Sequence, residues 1–244
     1  MQLIMMHKTN ADNEAGLPPS QELMAGMGAL LGEMMASGSF LAGEGLRQSA
    51  LGVRLKFTGG ERTVTPGPFQ GSNELVAGFA IVRVPTIVEA VEWATKFANV
   101  VGDCDLDVRP VNEPWDLGMC PKPEGLEGVR YMIAHKADRN SEAGVPMAAG
   151  REAEMGRLME EMTKAGVLLG TVSIQPSSKG VRMNFVGGKH TVTDGPFAES
   201  KELIAGYCIA EMESLEAAIE WAPRFANVVG DVEVDIRPLY HFSS

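Results

Sequence analysis

The sequence repeats itself once, and this duplication limits the possible folds more than any other feature. Trp93–Pro110 and Trp221–Pro238 are identical at 12 of 18 positions. The same offset (221 − 93 = 128) relates Glu14-Ala15-Gly16 to Glu142-Ala143-Gly144 and Gly59-Gly60 to Gly187-Gly188. It also relates Gly67-Pro68-Phe69 to Gly195-Pro196-Phe197, and no gap is needed from His7/His135 to Pro110/Pro238. Solenoid repeats have periods of roughly 20–50 residues, so a period this long means two duplicated domains. The expected division is repeat 1 over 1–110, a Pro- and Gly-rich linker over 111–129, and repeat 2 over 130–244.

Within repeat 2, Tyr131–His135 reads as a short apolar strand. Met155, Leu158, Met159 and Met162 mark one face of a helix that Gly166 ends. Val167–Ile174 is a second strand. Val181–Val186 and Thr191–Thr193 form a hairpin around Gly187-Gly188, where two glycines supply the positive φ of a tight turn. Leu203–Met212 is a long fourth strand. Leu215, Ala218, Ile219, Ala222, Phe225 and Ala226 define a second helix, with Ser214 as N-cap and Pro223 expected to kink or shorten it. Thr86 and Glu89 suggest a capping box at the equivalent helix of repeat 1. Val232–Arg237 closes the unit. The order β-α-β-β-β-α-β, with helices on one face of a mainly antiparallel sheet, is an α+β, ferredoxin-like layout. Each sheet keeps one bare apolar face, and two copies in one chain can cover both by packing as an intrachain pseudo-dimer.

A net charge of −11 without a cluster of Lys and Arg excludes a phosphate backbone as direct partner. The apolar runs are too short to span a bilayer, and the first residues lack a basic segment and a cleavage site, which reads as cytoplasmic. Cys104, Cys120 and Cys208 are an odd number at unrelated spacings, fitting neither a disulfide framework nor a zinc site. Four scattered histidines offer no metal-ligand spacing, and no nucleotide-binding or nucleophile-elbow motif occurs, so neither metal nor cofactor is expected.

At Thr193-Asp194-Gly195-Pro196-Phe197-Ala198-Glu199-Ser200-Lys201-Glu202 the second repeat resembles the DGPF signature of the YCII-related family, a branch of the dimeric α+β barrel superfamily. Lys136, Glu142-Ala143-Gly144, Pro176–Gly180, Gly187-Gly188-Lys189 and Glu220-Trp221 extend the resemblance across the repeat. Repeat 1 keeps Gly67-Pro68-Phe69 but has Pro66, Gly71 and Asn73 in place of the Asp, Glu and Lys. The resemblance implies an intrachain version of the dimeric α+β barrel. It names no single activity. Related YCII-like proteins include a dehydrochlorinase and enzymes with a His–Asp pair, the wider superfamily contains metal-free isomerases and oxygenases, and some DGPF proteins are associated with extracytoplasmic-function sigma factors.

Comparing the repeats provides a test internal to the chain. Residues the fold requires should persist in both copies, whereas residues serving a site can survive in one. Arg54/Arg182, Phe69/Phe197, Trp93/Trp221, Asp107/Asp235 and Arg109/Arg237 persist and read as scaffold. Lys179, Lys189, Asp194, Glu199 and Lys201 are replaced by Leu51, Glu61, Pro66, Gly71 and Asn73, either as surface drift or because a site lies in repeat 2. In the functional reading, Asp194 is a general acid/base paired with His135 on an adjacent strand, and Lys136, Glu199, Lys201 and Lys179 bind a small molecule. In the structural reading, Asp194 closes an Asx-turn, His135 (repeated as His7) is a framework residue and Lys136 is a solvated strand end. Three functional readings stay open: a cofactor-free isomerase or lyase with one pocket in repeat 2, a non-catalytic partner of a sigma factor, and a degenerate enzyme. Open sheet edges would also allow a homodimer.

Overall fold

The computed structural model describes residues 1–69, 74–197 and 200–243. Repeat 1 contributes β1 (Gln2–Lys8), α1 (Ala11–Glu14), α2 (Gln21–Ser37), β2 (Phe40–Gly45), β3 (Val53–Thr58), β4 (Glu61–Pro66), β5 (Val76–Val84), α3 (Ile87–Val101) and β6 (Cys104–Pro110). Repeat 2 contributes β7 (Val129–Lys136), α4 (Arg139–Glu142), α5 (Ala149–Lys164), β8 (Leu168–Ile174), β9 (Val181–Val186), β10 (Lys189–Asp194), β11 (Ile204–Glu211), α6 (Leu215–Val229) and β12 (Val232–Ser243). Thr86 and Ser214 cap α3 and α6, and Gly59-Gly60 and Gly187-Gly188 take positive φ at the hairpin tips, as expected. At α3 only the Thr86 side chain engages, accepting from the Glu89 N–H (3.3 Å), and the reciprocal Glu89 bond of a capping box is absent among the described residues. Pro223 does not shorten α6, which runs to Val229 with Ala218, Ala222 and Ala226 buried on the sheet. Packing on that face outweighs the one backbone hydrogen bond a proline removes.

The pairing of the strands is not that of two self-contained repeats. β1 lies between β11 and β12 of the other repeat, and β7 lies between β5 and β6. β2 pairs with β11 and β8 with β5. Each half therefore takes its first strand, first long helix and second strand from one repeat and the rest from the other. The linker explains why this is economical: β6 and β7 are antiparallel neighbours, so the intervening residues need only reverse the chain. The sequence repeats and the structural halves are different divisions of the same molecule.

β12 bends from one half to the other, pairing with β1 and β9 early and with β8 through Leu239–Ser243. At the opposite seam a single bridge, Leu46 to Val111, joins β2 to the extension of β6. The ring β2-β11-β1-β12-β8-β5-β7-β6 is thereby closed into a barrel, with the hairpins β3-β4 and β9-β10 attached outside it. Ile4, Met6, Phe79, Ile81, Met132, Val172, Ile174, Tyr207 and Ile209 fill its interior. The outer faces are covered by α3 with α5 and by α2 with α6. Among the described residues, no helix is long and apolar enough to cross a membrane.

Candidate functional site

The Gly-Pro-Phe segments act first as structural joints. A β-carbon at Gly67 or Gly195 would overlap the carbonyl oxygen of Ser49 or Ser177, so only glycine lets these backbones meet. The Phe69 and Phe197 N–H groups donate to the Ser49 and Ser177 hydroxyls (3.3 and 3.0 Å). Each ring packs under a guanidinium, Arg54 at 4.9 Å and Arg182 at 4.4 Å. Those arginines grip Asp107 (2.7 and 2.9 Å) and Asp235 (2.6 and 3.0 Å) through two bonds each. Lys136 and Lys8 complete the clusters at 2.7 Å from the same carboxylates, so each lysine binds an aspartate of the other repeat. Burial alone would raise the Asp107 carboxyl, but Lys136 and Arg54 outweigh it and hold it below the usual range. Asp235 is held down in the same way by Lys8 and Arg182. Arg109 and Arg237 donate across the repeats to the carbonyls of Ile204 and Val76 (2.7 and 2.8 Å).

These contacts correct two expectations. Lys136 is not a solvated, ligand-binding lysine: it is 8% exposed and tied to Glu74 and Asp107. Asp194 and His135 do not sit on adjacent strands. His135 lies on β7 with its ring against Phe97 (centroids 5.5 Å apart), and burial lowers its pKa against the pull of Asp138 and Asp105. Asp194 ends β10, which pairs with β9 in the other half, and is exposed. The exchange of β1 and β7 causes this separation, because His135 travels with its strand into the opposite half. Lys179 and Lys201 are exposed, and Glu199 lies outside the described residues.

A different polar group occupies one mouth of the barrel. Glu44 stands directly opposite Tyr207 on β11, and Tyr207 belongs to the interior cluster, so both side chains face inward. Arg83 and Arg130 are likewise paired across β5 and β7, one step beyond the interior pair Ile81 and Met132. Two like charges directly opposite would repel. Glu113, from the linker, relieves this by facing Arg83 at 3.0 Å and accepting from Arg130 Nε at 2.8 Å. Arg130 also donates to Glu44 and to the Asn112 carbonyl (3.1 Å). Burial raises the Glu44 carboxyl despite Arg130, and burial together with Glu44 raises the Tyr207 phenol. The positions 128 residues away are Val172 for Glu44, Phe79 for Tyr207, Gln2 for Arg130, Glu211 for Arg83 and His241 for Glu113. The Glu44–Tyr207 couple is thus apolar in its counterpart. The comparison of repeats contained this signal, but in repeat 1 it falls on a strand made inconspicuous by Gly43 and Gly45.

The fold and this mouth define a class: a single-chain α+β barrel, built by strand exchange between two repeats, with an inward-facing Glu44–Tyr207 pair at one end only. The chain belongs to the YCII-related domain family, which matches residues 1–111 and 129–240. It is also similar to an uncharacterised protein of Rhizobium meliloti (strain 1021), 29% identical over 89 residues that cover 35% of this chain and 70% of the relative. No solved structure matches it.

Proposed function

We propose that this YCII-related protein binds a small molecule at the polar barrel mouth and acts on it by proton transfer, with Glu44 as the acid/base group. The observation that carries the reading is the inward-facing Glu44–Tyr207 pair at one end of the barrel, where the other end has Val172 and Phe79. Burial raises this carboxyl and so makes it a stronger base than an ordinary carboxylate, suited to accept and return a proton. Arg130 holds one Glu44 oxygen, and the side chain stays 23% exposed, so the group is oriented yet reachable. Asp194 and His135, which belong to different halves, lack this convergence. The test is a thermal-shift screen of small metabolites against the wild type and Glu44→Gln, because a ligand of the folded state raises the melting temperature. Hits that stabilise the wild type and not the variant support the proposal; hits that stabilise both equally overturn it.

A further inference from the structure

Resting on the site proposed above, we infer that its substrate is a small carbonyl compound with an ionisable C–H beside the carbonyl. Tyr207 holds the carbonyl oxygen and Glu44 takes the proton. Tyr207 is 7% exposed, its ring lies against Phe79 with centroids 4.7 Å apart, and its hydroxyl has no hydrogen-bond partner among the described residues. With no partner among the described residues, this hydroxyl is free to donate to a ligand that enters the mouth. Glu44 stands opposite on the neighbouring strand and faces the same way, and directly opposed residues have β-carbons about 4.5–5.5 Å apart. Its Oε1 accepts from Arg130, whereas Oε2 has no partner among the described residues. A donor and a carboxylate oxygen on directly opposed, inward-facing residues can address a carbonyl oxygen and the hydrogen on the adjoining carbon.

The step is balanced without an oxidant or reductant. Glu44 Oε2 forms a bond to the proton, the C–H pair becomes the C=C bond of an enolate, and the carbonyl π pair moves to the oxygen that accepts from Tyr207. Returning a proton to a carbon of the enolate regenerates the carboxylate. The neighbouring cations argue against a phosphate ester, since Arg83 and Arg130 are already neutralised by Glu113 and Glu44. Burial keeps the phenol protonated and able to donate.

The full chain is incubated in D2O with acetylacetone or 2-oxobutanoate, and deuterium entry at the acidic carbon is followed by NMR for the wild type, Glu44→Gln and Tyr207→Phe. Phe79 already occupies the equivalent position in the other half, so Tyr207→Phe preserves the packing; the melting temperature checks this. The expected result is wild-type exchange at least about 100-fold above buffer, loss to background in Glu44→Gln, and a drop of about 100-fold in Tyr207→Phe at unchanged melting temperature. Exchange at the buffer rate with both probes, or exchange indifferent to Tyr207→Phe, overturns the inference. If the screen still finds ligands lost in Glu44→Gln while exchange is absent, the inference falls and the ligand site stands. If both readouts are negative, both fall.

Discussion

The strand exchange makes a prediction that separates it from an unexchanged pair of repeats. Asp107 accepts two bonds from Arg54 and faces Lys136 of repeat 2, all within a buried cluster. In Asp107→Asn the amide keeps one acceptor and turns a donor toward existing donors, leaving buried cations short of compensation. Breaking a buried pair in this way costs about 3–5 kcal/mol. If the repeats kept their own first strands, Asp107 would meet Lys8 instead, as Asp235 does here. Double-mutant cycles by urea unfolding, followed by circular dichroism and tryptophan fluorescence, therefore decide between the arrangements. The expected coupling of Asp107→Asn with Lys136→Met is on the order of 2 kcal/mol, whereas Asp107→Asn with Lys8→Met adds to within about 0.5 kcal/mol. Coupling to Lys8 and additivity with Lys136 would refute the exchange; a loss below about 1 kcal/mol in Asp107→Asn would refute the role given to the cluster.

Gly67→Ala and Gly59→Ala should differ sharply in chemical unfolding. The first forces a methyl onto the Ser49 carbonyl and is expected to cost more than about 3 kcal/mol, whereas the second meets open space and pays only for its positive φ, about 1 kcal/mol. Equal losses would count against the joint assigned to the Gly-Pro-Phe segments. Acid titration should show two windows. Burial, helped by Lys8, holds the His7 imidazole at about 4, so the unfolded chain gains its proton first and stability falls as pH drops from about 6.5 towards 4. Asp107 and Asp235, whose folded pKa values are depressed, contribute stability present above about 3.9 and lost as pH falls further, through their folded pKa values. His7→Leu should shrink the upper window, leaving the part due to His135, and keep the lower one; an unchanged upper window argues against a neutral buried imidazole at His7. Iodoacetamide at pH 8 should label exposed Cys120 fast and the partly buried Cys104 and Cys208, whose thiols burial pushes up to about 12, slowly; equal rates would contradict that burial.

Much of the architecture is written in local chemistry. The duplication, the element order, the Thr86 and Ser214 caps and the diglycine turns depend on interactions within a few residues, and they hold wherever the strands later pair. Strand partnership is different. β1 presents the same alternation of apolar side chains to either sheet, so the choice between its own repeat and the other one rests on long-range pairing and on where the linker turns. That choice decided the fate of the candidate residues. Lys136 reads as a solvated strand end until Asp107 and Glu74 of repeat 1 close over it. His135 and Asp194 read as neighbours until their strands enter different halves. Glu44 has no local mark of function; only closure of the barrel turns it inward, opposite Tyr207 and beneath Arg130. The sequence by itself determined that this chain is two α+β units with sheet faces to bury, because periodicity and capping are local. Tertiary structure decided which half each strand joins and which barrel mouth receives Glu44 and Tyr207, because burial and charge pairing exist only once distant strands meet.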